Sequence, residues 1–368
     1  MNEPVYLDHN ATTPIRPEAL EAVTRIAGML GNPSSVHQYG RDVRRHIEDA
    51  RDALASLVHA EPADVIFTSS GTEANNLALR GVGRDRVFVS AVEHVSVLEV
   101  RQGVSLIPVD ENGVVNCKAL EAMLAEDTAP ALVSVMFANN ETGVLQPIED
   151  ISAIAKQHDA WVHCDAVQGA GKAAINIDAL GVDMLSLSSH KIGGPQGAGA
   201  LIVQDTVGLG ANIHGGGQER NHRGGTENAS SIAGFGVAAQ CAANCKDEAA
   251  RIGILQQDLE DRARAVLSDT QIYGETAARL TNTTCLTMPG VSSETQVMAL
   301  DLAGVAVSAG AACSSGKVGA SHVLEAMGVG DGAGDAIRVS LGWTTSAGDI
   351  ERFIGAWTAL NQRVLDPA

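Results

Sequence analysis

The chain has 368 residues, 45% of them apolar, and a formal charge of −19 from 25 basic and 44 acidic side chains. That length exceeds the usual single-domain range and points to two lobes, while so acidic a surface repels phosphate backbones and argues against general nucleic-acid binding. The opening "MNEPVYLDHN" has neither a basic stretch nor an apolar one, and six scattered cysteines without a Cys-x-x-Cys pair read as reduced thiols, so a cytoplasmic protein with no membrane span is expected.

Apolar runs alternate with helical patterns along the first two thirds. The runs are "DVIFTS" (64–69), "RVFVSA" (86–91), "VSLIPV" (104–109), "ALVSVMF" (131–137), "WVHCDAV" (161–167), "DMLSLSS" (183–189) and "GALIV" (199–203). Between them, "EANNLALRG" and "IEDISAIAKQHD" place apolar residues three and four apart, as an amphipathic helix requires. Repeated strand–helix–strand units predict an α/β fold with a mostly parallel central sheet covered by helices, and ligands in such sheets bind at the carboxyl ends of the strands. Beyond residue 226 the chain reads as one long or two successive helices, then short strands such as "TTCLTM" and "AIRVSLG". Residues 16–250 are expected to form a large domain, and residues 1–15 with 251–368 a smaller one.

Three signals fall at strand ends. In "TSSGTEANN" a strand gives way to a helix with Glu73 in its first turn; free N–H groups and hydroxyls there suit a phosphate, although an ordinary N-cap at Ser70 or Thr72 explains the same residues. In "WVHCDAVQG" the two-residue period of a strand puts His163 and Asp165 on one face and Cys164 on the other. A carboxylate buried at a strand end needs a positive partner, which a protonated ring nitrogen would provide, the alternative being a helix cap. In "DMLSLSSHKIGGPQGAGALIV", Lys191 sits at the tip of an apparent hairpin. A solvated turn lysine is the bland reading, but the flanking serines, His190 and glycines build a polar pocket that a plain turn does not need. Phosphate cradle, carboxylate and amine are the three anchors of pyridoxal 5'-phosphate (PLP), whose aldehyde Lys191 would hold.

These segments, with "YLDHNATTP", "GNPSSVHQYGR", "EHVSVLE", "NNETG", "GGGQERNHRGGTEN", "VSAGAACSSG" and "IRVSLGW", run in order over nearly the whole chain. Together they closely resemble the cysteine desulfurases of the NifS/IscS type, in the class V aminotransferase group of fold-type I PLP enzymes. The resemblance implies that Lys191 holds PLP and moves the substrate's Cα proton, that Asp165 pairs with the ring nitrogen and that Gln168 hydrogen-bonds the phenolic oxygen. It implies that His94 stacks over the ring as an acid/base. Thr72, Ser188 and His190 would hold the phosphate, joined by Thr226 from the other subunit of a homodimer. Asn140 and Arg338 would bind the carboxylate of L-cysteine, for which an arginine fork is well shaped. Cys313, in the Gly/Ala/Ser-rich "SAGAACSSGKVGASH", would take the sulfur as a persulfide and hand it to an Fe–S scaffold or another acceptor. That composition reads as a mobile loop, whereas the other cysteines sit in helix- or strand-like surroundings. One departure stands out: Asn221-His222 replaces the Gly-Arg more usual in such enzymes. Alternatives are a class V aminotransferase or related PLP lyase, including the selenocysteine lyase-like branch, which the longer loop around Cys313 argues against. A non-catalytic sulfur-relay scaffold is a further alternative, with no use for Lys191.

Overall fold

The computed structural model describes residues 4–243, 246–310 and 321–365. Its first strand is the two-residue β1 (Val5–Tyr6). All seven apolar runs then form strands of one sheet: β2 (Val65–Thr68), β3 (Arg86–Ser90), β4 (Ser105–Ile107), β5 (Ala131–Met136), β6 (Ala160–Asp165), β7 (Met184–Ser188) and β8 (Gly199–Val203). The order is β2-β8-β7-β6-β5-β3-β4. Every neighbouring pair is parallel except those involving β8, which runs against both β7 and β2. The β7–β8 connection is too short for a crossover, so it must return antiparallel, and Lys191 lies in its 3₁₀ turn, Ser189–Lys191.

Both faces of this sheet are covered, which is why its strands read as continuous apolar runs rather than as an alternation. All six residues of β5 are buried. Val133 and Val135 join one core with Ile47, Leu54 and Phe235, under helices Gln38–Val58 and Ala229–Ala242. Leu132, on the opposite face, joins a second core with Ala74, Leu77 and Ala78 of helix Gly71–Gly81. Truncating Leu132 to Ala would cost about 2–5 kcal/mol, since neither layer can collapse into the space.

A smaller antiparallel sheet, in the order β11-β12-β9, comprises β9 (Thr283–Thr287), β11 (Ser308–Ala309) and β12 (Ala336–Ser340), and β10 (Val305–Ala306) pairs in parallel with β1. Val5 and Leu7 share a core with Ile252, Leu259, Phe353 and Trp357. The long stretch after residue 226 forms two helices, Ala229–Ala242 and Lys246–Val266. From β1 the chain crosses to the large sheet: Asn10 N–H donates to Ser340 Oγ at 2.9 Å, and Thr13 N–H to the His190 carbonyl at 3.1 Å. Residues 8–13 are therefore held at both sheets. Among the described residues no helix is long and apolar enough to cross a membrane.

Candidate active site

The loops after β2, β3, β5, β6 and β7 gather at the carboxyl ends of the parallel strands, facing β12 and the 8–11 segment. Between them lies a cavity of about 490 Å³. The structure brings Thr72, His94, Asn140, Asp165, Gln168, Ser188, His190, Lys191 and Arg338 together on its wall. Asp8, Asn10, Asn75 and Ser96, which sequence reasoning did not single out, also line it.

At one end, Ser70 caps helix Gly71–Gly81, its Oγ accepting from Glu73 N–H at 3.1 Å. The cap occupies one orphan N–H and leaves those of Gly71 and Thr72, which line the cavity, without an intrahelical partner, as an anion site requires. A Cβ on Gly71 would fall 2.8 Å from Val167 Cγ2 and 3.4 Å from Ser188 Cβ, so glycine keeps this cradle open. His190 Nδ1 lies 3.1 Å from Thr12 Oγ1. Burial, reinforced by the Lys191 charge, lowers its pKa to about 4, so the ring is neutral at pH 7 and offers hydrogen bonds rather than charge.

Asp165 ends β6 and is buried. Its Oδ1 accepts from Val167 N–H at 3.0 Å and its Oδ2 from Asn75 Nδ2 at 2.7 Å. Both donors are neutral amides, which leaves the carboxylate charge to be met from the cavity, as a protonated ring nitrogen would do. His163 shares its strand face but plays a structural part: Nδ1 and Nε2 each lie 2.8 Å from a serine hydroxyl, Ser134 and Ser186. Burial lowers its pKa to about 4. The Glu93 carboxyl is wholly buried with one oxygen on Met136 N–H. Burial, then the nearby Asp165, push its pKa well up, and its bond to Met136 ties the turn after β3 to the end of β5.

Lys191 Nζ donates to the carbonyls of Ala11, at 2.8 Å, and Asn10. Gln168 Nε2 donates to the same Asn10 carbonyl at 3.0 Å. Behind Gln168 stands Lys172, whose Nζ donates to Gln168 Oε1 at 2.6 Å and to Asn10 Oδ1 at 3.0 Å. Burial, then the charges of Lys191 and Arg338, hold its pKa well below the usual lysine range. The signals for these residues were faint. Asn75 is a polar residue on the apolar face of a helix, and Lys172 follows Gln168 by four.

Across the cavity, buried Arg338 donates to Asp8 Oδ1 at 2.7 Å and to the Asn140 carbonyl at 3.1 Å. Its Nε is buried with no partner among the described residues, and the residue lines the cavity, where a guanidinium fork suits a substrate carboxylate. The groups a PLP molecule needs are thus all present: an open helix start, a carboxylate answered only by amides, and an amine at the strand end.

Two expected residues lie elsewhere. Thr226 lines a separate hollow of about 140 Å³ with Ser69 and Arg223, and Arg223 is paired with Glu73 at 2.9 Å. The preceding Glu219, Arg220 and Asn221 all have positive φ, 42°, 54° and 68°. Asparagine is among the non-glycine residues that best tolerate this region, which accounts for Asn221 where the family more often has glycine. Arg51 and Glu219 pin the turn from below through two 2.9 Å contacts. Cys313 lies outside the described residues. The residues flanking its segment meet at Glu141: Ser321 Oγ donates to Glu141 Oε2 at 2.6 Å, and a Cβ on Gly310 would lie 2.7 Å from that oxygen. Of the described thiols, Cys164 and Cys285 are buried and Cys117 half-buried, and burial pushes all three pKa values up, which makes them poor nucleophiles.

The profile of the class-V aminotransferase family matches residues 5–353. A cysteine desulfurase IscS of Dictyoglomus turgidum is 40% identical over 366 residues, covering 95% of this chain and 92% of the relative. A cysteine desulfurase of Cereibacter sphaeroides is 42% identical over 368 residues, 96% of this chain and 94% of its own. Among solved structures, a NifS-like protein from Rickettsia africae superposes with a TM-score of 0.92 at 39% identity, over 98% of this chain and 100% of that one. The chain belongs to the class-V aminotransferase family and, within it, to the PLP-dependent cysteine desulfurases.

Proposed function

We propose that the cavity binds L-cysteine against PLP and that its sulfur leaves on Cys313, giving L-alanine and a persulfide. The observation that carries this reading is the convergence of Lys191, Asp165 and Arg338 on one cavity from two sheets. When bound, PLP supplies an electron sink for the bond-breaking at the substrate's Cα and Cβ. Lys191 stands where it can hold the aldehyde and then carry the Cα proton. Asp165 would keep the ring nitrogen protonated, Gln168 would meet the phenolic oxygen, and His94 would cover the ring. Thr72, Ser188 and His190 would hold the phosphate, while Arg338 and Asn140 would orient the substrate carboxylate. The transfer balances without an external oxidant: the carbon–sulfur bond of cysteine breaks, an S–S bond forms at Cys313, and the thiol proton and electron pair end on alanine.

The same reading includes a homodimer. Thr226 lines a hollow apart from the Lys191 cavity of its own chain, so its phosphate contact requires a second copy. The separate cores support a large domain of residues 16–250 and a small one of 1–15 with 251–368. Free thiols at Cys117, Cys164, Cys241 and Cys285 support a reducing, cytoplasmic setting, and the likeness to cysteine desulfurases supports an Fe–S scaffold or another sulfur-accepting protein as the onward partner. The test is product analysis: PLP-loaded protein given L-cysteine should form alanine and sulfide in equal amounts with a reductant present. Cys313→Ser should form neither. A keto acid in place of alanine would instead establish transamination, and alanine at the parental rate from Cys313→Ser would place the nucleophile elsewhere.

A further inference from the structure

We propose that Asn75 and Ser96 are positioning residues that relay the carboxylate of Asp165 to His94 and fix its ring as the Nε2–H tautomer, so that His94 offers the cavity a hydrogen-bond donor rather than a base. A carboxylate only accepts, so Asp165 Oδ2, 2.7 Å from the Asn75 amide, must face its nitrogen. The same Nδ2 lies 2.9 Å from Ser96 Oγ, and its two hydrogens serve the two oxygens. Ser96 Oγ, having accepted from Asn75, turns its own hydrogen to its remaining neighbour, His94 Nδ1, at 2.8 Å. The Ser96 backbone N–H points at that nitrogen as well, at 3.1 Å.

Two donors on Nδ1 leave no room for a proton there, and the neutral ring carries its hydrogen on Nε2. No described residue bonds Nε2, which is the ring nitrogen left to the cavity. The chain is buried as far as His94: Asn75, Ser96 and Asp165 are 1%, 9% and 6% exposed. The charged or titratable groups around the ring are Asp165, which favours its protonation, and Lys191 and His322, which oppose it; burial outweighs them all and lowers its pKa.

The consequence rests on the desulfurase reading. The one lone pair of the ring points away from the substrate, so proton removal falls to Lys191, and His94 holds a developing negative charge with its N–H. This narrows the acid/base role that the family resemblance implies.

The test uses PLP-loaded protein labelled with ¹⁵N in histidine, with the His94 signals assigned by their loss in His94→Gln. Long-range ¹H–¹⁵N spectra should show an unprotonated Nδ1 and a protonated Nε2, and a proton on Nδ1 would overturn the proposal. Ser96→Ala removes one donor to Nδ1, so the titration midpoint of His94 should rise, and Asn75→Ala should raise it less. An unmoved midpoint in Ser96→Ala would also overturn the proposal. In kinetics, the glutamine of His94→Gln keeps an N–H donor near the Nε2 position, so it should retain about tenfold more kcat/KM than His94→Ala, and equal losses in the two variants would overturn the donor role. The pH profile of His94→Gln should keep the parental shape. A loss of about 100-fold or more with one limb of the profile gone would make His94 a general acid or base. Should the parent form no alanine, the desulfurase reading fails, while the spectra still decide the tautomer.

Discussion

Asp165→Asn isolates the charge at the strand end from its shape. The asparagine can still accept from Val167 N–H, and its new NH₂ can be met by a flip of Asn75, whose Oδ1 is buried and unpaired. The packing therefore survives and the charge does not. Two opposite charges about 4 Å apart interact by about 4 kcal/mol at an effective dielectric near 20, appropriate to a partly buried site. Every ~1.4 kcal/mol of barrier is a factor of ten, so loss of the ring-nitrogen partner should slow Cα proton removal by ~10³-fold. The direct assay is exchange of the Cα proton of L-alanine with deuterated water, followed by NMR on protein whose PLP content has been measured after dialysis. Full PLP occupancy with exchange within about tenfold of the parent would show that Asp165 is structural, and would remove the electrostatic argument for this site.

Lys172→Met should free the Gln168 amide and weaken PLP binding by about tenfold, the scale of one lost buried hydrogen bond; equilibrium dialysis giving an unchanged affinity would deny Lys172 its bracing role. Mixing Lys191→Ala and Thr226→Ala chains should restore about a quarter of parental activity, since half of the dimers are mixed and each has one intact site; no recovery on subunit exchange would refute the shared site. Acidification should weaken the fold through His163, whose ring stays neutral in the folded chain down to about pH 4, whereas the unfolded chain takes up its proton below about 6.5. Stability is then lost as pH falls through that window, by about 3 kcal/mol for this one residue. Denaturation at about pH 7.5 and 5 should show a smaller drop in His163→Gln; an equal drop would place the effect elsewhere, for instance at His9, whose pKa is also lowered to about 4.

The large sheet was legible because strands buried on both faces leave an unmistakable mark, and "ALVSVMF" became a fully buried strand. Lys191 was legible because a charged residue between two apolar runs and a glycine cluster had no structural reason to be there. What stayed hidden were residues whose function lies in pairing across the fold. Asn10 bonds to Thr283 and Asn282, more than 270 positions away, and no local pattern encodes that. Glu93 and Lys172 look like surface charges in sequence, yet burial takes the pKa of the one well above its usual range and of the other well below. His163 shows the reverse: its shared face with Asp165 drew notice, but two serines from neighbouring strands make it a satisfied core residue.

The hydrogen bonds of Asn10 explain why the cavity needs both sheets. Its carbonyl accepts from Lys191 and Gln168 of the large sheet, and its side-chain oxygen from Lys172 and Asn282. Its amide donates to Thr283 of the small sheet and to the Asn140 carbonyl. That same Asn140 carbonyl receives Arg338. The amine expected to meet the cofactor and the guanidinium expected to meet the substrate carboxylate are therefore one and two hydrogen bonds, respectively, from one buried asparagine. A displacement of the small sheet that drew Arg338 toward a bound carboxylate would pull on the acceptors of Lys191 at the same time. Arg338 at one end of the cavity and the lysine at the other are thus linked by hydrogen bonds through the N-terminal segment, which is anchored to both sheets.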